Sequence, residues 1–252
     1  MLDLSYQLYS ARNSPPLGDH LRSLAKLGYT QVEGYGGLYA GADLAALRRE
    51  LDSLGLTMPT AHIGLAQLED VAAAAKICAT LGIKVIYCPA PPADQRSGGD
   101  AEWKAFGAKL AKLVDSYARH GVGFGWHNHD FEFKATASGA MPLDLILGGS
   151  PSLQWEADVA WIKIAGQDPL RWIEKFADRL TAVHVKDVAP AGEAKDEDGW
   201  ADVGHGTLNW AALMKTLTTK TKCKYFVMEH DNPSDPRRFA ERSLKSLRAM
   251  GY

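Results

Sequence analysis

Short β-rich runs alternate with longer helical runs eight times along this chain, and that alternation limits the fold more than any other feature. The strand candidates are LSYQL (4–8), TQVEG (30–34), MPTAH (58–62), KVIYCP (84–89), VGFGWH (122–127), SLQWEAD (152–158), TAVHVKD (181–187) and KYFVMEH (224–230). Helical patterns fall over 17–27, 43–55, 66–82, 103–121, about 168–179, 208–219 and 235–251. In 43–55 apolar residues recur at three- and four-residue steps. Gly28 and Gly82 stand where helices of this kind stop. Alternation on this scale implies a parallel sheet. Eight units in 252 residues fit an α/β chain that closes into a (β/α)8 TIM barrel. A doubly wound open sheet would carry a Gly-rich phosphate turn after its first strand, and SYQLYSARNSPP has none. No linker divides the chain, so one domain over 1–252 is expected. The Pro/Gly-rich, charged loops 90–100 and 188–206 read as lids on the barrel.

Composition removes several functions. Hydrophobic residues make up 46% of the chain, enough for a large core. The formal net charge is −2, with no Lys/Arg block, so nucleic acid is not an expected partner. No apolar run approaches the ~20 residues of a spanning helix, so no membrane is expected either. The start, MLDLSYQLYS, lacks the basic and apolar regions of a signal peptide. Cys78, Cys88 and Cys223 are far apart in apolar surroundings and form no CxxC pair. They read as reduced thiols of a cytoplasmic protein.

In a barrel of this kind the C-terminal strand ends form the site. Here they carry Glu33, His62, Cys88, His127 with His129, Glu156 with Asp158, His184 with Lys186 and Asp187, and Glu229 with His230. Five of the chain's eight histidines fall at these positions. Packing explains one buried imidazole, but not five beside several carboxylates. Burying such groups together is costly unless something pairs them. A divalent cation would, and His with Asp/Glu suits Mn, Co, Zn, Mg or Fe, with Mn or Zn favoured.

The chain resembles the sugar phosphate isomerase/epimerase family of xylose isomerase-like TIM barrels, which also holds inosose dehydratases, ketose 3-epimerases and endonuclease IV. The likeness covers nearly the whole chain. It rests on TAH (60–62), HNHDFEF (127–133), EADVAWIKIAGQDP (156–169), VHVKD (183–187), DVGHGTLNW (202–210) and VMEHD (227–231). The resemblance implies one divalent metal held by a Glu, an Asp, a His and a second Glu. The last three fall on Asp158, His184 and Glu229. Where many relatives have Glu-Asn-His this chain has His127-Asn128-His129, so His127 takes the first ligand position. The carboxylate pair that the family's 3-epimerases are thought to use is thereby broken.

The expected activity is that of an isomerase or epimerase on a small keto-sugar, cyclitol or related polyhydroxy carbonyl compound, through an enediolate stabilised by the metal. The alternative is β-elimination by a dehydratase or lyase. A third reading is a sugar-binding barrel without catalysis, and a fourth a phosphodiesterase like endonuclease IV, for which no basic groove is visible. Glu229 and His62 are the candidate proton-transfer groups, and Lys186 would stabilise the oxyanion. Lys186 could instead pair with Asp187 or Glu156. Glu33, His129, Glu132, His205 and Trp103 are candidate substrate contacts. Glu132 could equally orient His127 or His129, and relatives often have Glu where His205 stands. Tyr9, Tyr35, Trp103, Trp161 and Trp200 could wall a sugar ring. No Gly-rich phosphate loop is visible, which favours a substrate without phosphate. Relatives are often dimers or tetramers, so a homo-oligomer is compatible with the sequence.

Overall fold

The computed structural model describes residues 1–252. Eight strands, β1 (Leu4–Gln7), β2 (Gln31–Tyr35), β3 (Thr57–His62), β4 (Val85–Cys88), β5 (Gly123–His127), β6 (Gln154–Asp158), β7 (Leu180–Val185) and β8 (Tyr225–Met228), form one closed barrel. Each pairs in parallel with its sequence neighbours, and β8 returns to β1. A helix follows each strand: α1 (Leu17–Leu27), α2 (Leu44–Ser53), α3 (Val71–Leu81), α4 (Asp100–Ala118), α5 (Pro142–Leu147), α6 (Pro169–Lys175), α7 (Trp210–Lys220) and α8 (Pro236–Ala249). The fold is the (β/α)8 TIM barrel that the alternation implied. No helix is long and apolar enough to cross a membrane.

Differences from the expected elements have local causes. The helix expected over 66–82 is broken into a single turn, Leu65–Leu68, and α3, because the Asp70 side chain accepts from Ala73 N and starts a new helix. α4 begins at Asp100, three residues earlier than expected, where the Glu102 carboxylate reaches back to Gly99 N. α5 and the short helix Val159–Ile164 were not among the expected elements. The loop after β7 is not featureless: Asp187–Val188 pairs antiparallel with Trp200–Ala201.

The two-residue period of a strand separates core from site. On β5 and β6, Trp126 and Trp155 face the helical layer, with ring centroids 5.3 Å from Phe106 and 5.9 Å from Phe176. Truncating either to Ala would cost about 3–5 kcal/mol. Their neighbours His127 and Glu156 consequently face the opposite way, into the barrel mouth. α4 and α5 pack closely because Gly107 has no side chain; a Cβ there would stand 2.7 Å from Leu145 O.

Candidate active site

The strand ends deliver two buried groups of acids and imidazoles that meet at His184. On its Nε2 side lie Glu33 from β2, His62 from β3, His127 from β5 and Glu156 from β6. His184 Nε2 is 2.8 Å from Glu33 Oε1 and 3.4 Å from Glu156 Oε2. Glu156 Oε2 is also 2.5 Å from His62 Nε2 and 3.0 Å from His127 Nδ1. Gln7, at the end of β1, donates to Glu33 Oε1 at 2.7 Å. Burial and the charge on Glu33 push Glu156 up to about 7, although His184 and His62 oppose this. Burial also raises Glu33, but His62 and His184 outweigh it and hold that acid below its usual range. Burial lowers His62, yet Glu156 and Glu33 raise it on balance. His127 drops well below the usual imidazole range, through burial and the neighbouring His184 and His62.

On the Nδ1 side stand Asp158, Lys186, Glu229 and Asp231. Asp158 divides its oxygens: Oδ1 accepts from Ala160 N and Trp161 N at the start of the helix after β6, while Oδ2 turns to the site. The Lys186 ammonium, fully buried, is 2.5 Å from Asp231 Oδ2, 3.2 Å from Glu229 Oε2 and 3.6 Å from Asp158 Oδ2. Its ion pairs are therefore not with Asp187 or Glu156. Asp187 leaves the strand end on the other side of the backbone, and Glu156 belongs to the Nε2 group. Trp200 covers the ammonium at 4.0 Å. Burial works against the charge on Lys186, but Asp231, Glu229 and Asp158 hold its pKa above the ordinary lysine value. Burial would raise Glu229; Lys186 and His184 instead hold it well below the usual carboxylate range. Asp158 rises to about 6 through burial, which Lys186 offsets only in part.

The residues fit a divalent cation. If His184 Nε2–H donates to Glu33, the lone pair of the neutral ring lies on Nδ1. That nitrogen is 3.0 Å from Glu229 Oε2 and 3.9 Å from Asp158 Oδ2, and none of the three atoms has a hydrogen-bond partner. A lone pair facing two carboxylate oxygens requires positive charge between them. A proton meets the need in part, and His184 is accordingly raised well above the usual imidazole range, with Glu156 and Glu229 overcoming burial. A divalent ion would meet it with the ligand types that borderline metals take.

A cavity of about 440 Å³ opens above both groups, and His62, His127, His129, Glu229 and Asp231 reach its wall. Tyr9 and Tyr35 form one side, packed edge to face with centroids 5.4 Å apart, and Trp161 the other. His129 stacks on Phe131, and burial, reinforced by Lys186, lowers it to about 3. Glu132 lies behind this wall: it accepts from Trp126 Nε1 at 3.0 Å and from His129 N at 2.9 Å. Burial pushes it up to about 8. Glu33 sits beneath the cavity, fully buried. Trp103 packs in the core against Phe106 and Phe131. His205 is exposed and lines a separate surface depression beside Arg238.

Three participants escaped the sequence reading. Asp231 ends VMEHD and could have been found by the same strand-end rule. Gln7 is a strand-end residue too, but its amide does not titrate. Asn128 Oδ1 accepts from Trp155 Nε1 and Asp158 N, and its amide donates to Asp158 O. It thereby fixes Asp158, through contacts that only the packed sheet creates.

Fold and site together define a class: a (β/α)8 barrel with an acid–imidazole centre at the C-terminal ends of its strands. Within it, the chain belongs to the xylose isomerase-like TIM barrel family, whose model matches residues 21–250. The rhizopine catabolism protein MocC of Rhizobium meliloti is 24% identical over 269 residues, spanning 93% of this chain and 82% of that protein. A sugar phosphate isomerase/epimerase from Parabacteroides distasonis superposes with a TM-score of 0.80 at 22% identity, over 98% of this chain and 93% of the other. IolI protein, whose structure contains a bound zinc atom, superposes with a TM-score of 0.78 at 14% identity, over 99% and 98% of the two chains.

Proposed function

We propose that the protein is a one-domain, metal-dependent isomerase or epimerase acting on a small keto-sugar, cyclitol or related polyhydroxy carbonyl compound. The convergence of Asp158 Oδ2, His184 Nδ1 and Glu229 Oε2, none with a hydrogen-bond partner although Lys186 lies beside both carboxylates, beneath an aromatic-walled cavity carries this reading. Those three residues would hold the ion; His127, proposed as the fourth ligand, stands with the Nε2 group through the 3.0 Å contact of its Nδ1 with Glu156 Oε2, so its other nitrogen would have to reach the ion. The zinc in IolI makes Zn a natural first choice, and Mn suits the same donors. When bound, the ion supplies Lewis acidity toward the substrate carbonyl.

The chain's own groups do the rest. Glu229 reaches the cavity wall with a carboxylate kept ionised by Lys186, and takes the proton beside the carbonyl. Lys186, buried behind the cavity wall among Asp158, Glu229 and Asp231, would favour the negative charge that develops on oxygen through its field rather than by contact. His62, held by Glu156 at 2.5 Å, returns a proton from another side of the cavity. Tyr9, Tyr35 and Trp161 orient the apolar face of the sugar, and His129 contacts its hydroxyls.

A second reading, β-elimination of a hydroxyl or glycosidic oxygen, is favoured by one observation. The groups that share the cavity wall with Glu229 and Asp231 include imidazoles, His62 and His127, where a 3-epimerase would offer a second carboxylate. An imidazolium, which His62 and not His127 would supply, suits protonation of a leaving oxygen.

The test is elemental analysis of wild type and His184→Ala, followed by proton exchange of keto-sugars in D2O. About one Zn, Mn, Co or Fe per chain, lost in the variant, is the expected result. Exchange beside the carbonyl without loss of oxygen marks the isomerase branch, and release of water or an alcohol marks the lyase branch. Absence of metal from both proteins after incubation with divalent ions would sink both branches.

A further inference from the structure

Resting on the sugar reading above, we propose that the substrate carries no phosphate, because the anion cradle of this barrel is filled by the chain's own Asp187. TIM barrels frequently hold phosphate with backbone N–H groups of the loops after the seventh and eighth strands. Here Lys186 and Asp187 leave β7 on opposite sides. The Asp187 side chain, fully buried, enters the loop after β7. Its Oδ2 accepts from Gly204 N at 2.9 Å, Gly206 N at 3.2 Å and Trp210 Nε1 at 3.0 Å. Its Oδ1 accepts from Val188 N at 2.9 Å and Leu208 N at 3.1 Å. The loop closes this tightly because position 206 is glycine: a Cβ there would stand 2.3 Å from Asp187 Oδ1. A phosphate could use these donors only by displacing a tethered carboxylate.

The first turn of α8, just past the loop after β8, repeats the arrangement with a side-chain cation that faces the loop after β7. Arg238 extends Nη1 to Glu197 Oε1 and Nη2 to Glu197 Oε2, each at 2.9 Å, and Nη2 also reaches Asp202 Oδ1 at 3.1 Å. Ser234 N donates to the same Glu197 carboxylate at 2.7 Å. Both anion-binding devices are thus already neutralised from within. The cavity wall offers no substitute of its own, and the nearest arginines, Arg12 and Arg96, stand stacked on Tyr9 and Phe131 rather than in the wall. No Lys or Arg lines the cavity, while Glu229 and Asp231 do. Lys186 behind it is already shared by three carboxylates. A phosphate dianion would meet the Glu229 and Asp231 carboxylates with no lysine or arginine in the wall to pair it, whereas hydroxyl groups would meet acceptors and aromatic faces.

Two measurements test this. The first is calorimetric titration of the zinc- or manganese-loaded protein with ketohexoses and their 6-phosphates as matched pairs. We expect the neutral member of a bound pair to bind at least tenfold more tightly. Equal or tighter binding of the phosphate ester overturns the inference and leaves the sugar reading standing. Failure of every pair, neutral and phosphorylated, overturns the sugar reading and this inference with it. The second needs neither sugar nor metal: wild type and Asp187→Ala are titrated with inorganic phosphate, and with formate as a smaller probe. Wild type should show no saturable binding, and the emptied cradle should bind at least one anion tenfold or more tighter. A folded variant that binds neither anion overturns the cradle. If Asp187→Ala does not fold, Asp187→Ser, which removes the carboxylate but keeps a small hydrogen-bonding group among the same N–H donors, is measured in its place with formate as the probe.

Discussion

On the Nδ1 side of His184, three carboxylates surround the fixed ammonium of Lys186. On the Nε2 side, two carboxylates face imidazoles alone, with no lysine or arginine among their ion pairs. An ammonium with three acids around it keeps its proton, so Glu229 is held ionised. Imidazoles exchange protons near neutrality, so the charge of the second group is adjustable; burial and the charge on Glu33 lift Glu156 to about 7 against the pull of His184 and His62. A third carboxylate, Glu132, has only N–H dipoles for partners and rises to about 8. The lesson is that burial alone does not set the state of an acid in this barrel, and neither does the kind of cation beside it: Lys186 holds Glu229 down while Asp158 rises to about 6, and imidazoles hold Glu33 down while Glu156 rises. The balance of burial, neighbouring acids and cations is struck separately at each carboxylate.

The largest effect should come from removing the fixed cation. Lys186→Met leaves Asp231, Glu229 and Asp158 without their shared partner, which should cost about 3–5 kcal/mol, measured by urea unfolding of the metal-free protein. A loss below about 1 kcal/mol would show that the three acids simply take up protons, and the contrast between the two groups would collapse.

Glu156→Gln should act more gently. It weakens the hold on His62 and His127 but touches none of Asp158, Glu229 or the His184 Nδ1 side. Metal affinity should fall about 10–100-fold, as for a group that orients a ligand, with the ion still bound at saturation. Competition against a chromogenic chelator reads this. Complete loss of metal would mean that the Nε2 group, and not the Nδ1 group, is where the ion sits.

A further effect should be one of pH. Glu132 titrates at about 8 when folded and near 4.3 when unfolded. Between those values the folded chain binds more protons than the unfolded one, so this group makes stability fall as pH rises. Thermal midpoints of wild type and Glu132→Gln from pH 5 to 8 should therefore separate, with wild type the more pH-dependent. Parallel profiles would mean that the two N–H donors suffice to keep Glu132 ionised.

Much of this was legible in the residues. The alternation of β and helical runs implied the barrel, and the strand-end positions of His62, His127, Asp158, His184, Lys186 and Glu229 follow from it, because a barrel brings every strand's C-terminal end to one face. Residue type at the strand ends was enough to place acids and imidazoles at that face; that Trp126 and Trp155 turn outward to the helical layer is a finding of the structure. What the linear pattern could not decide is which inward group meets which. His184 was legible as a ligand, but not as the residue with one nitrogen toward Glu33 and the other toward Glu229. Lys186 was legible as a cation, but its partners come from β6 and the end of β8, more than twenty and more than forty residues away. Asp187 was indistinguishable in sequence from one more acid at the site, until the loop after β7 closed its N–H groups around it. Local sequence sets which side of a strand a residue faces, because that depends on backbone geometry alone. The partner it finds there depends on register, strand order and loop closure, which exist only once the barrel has formed.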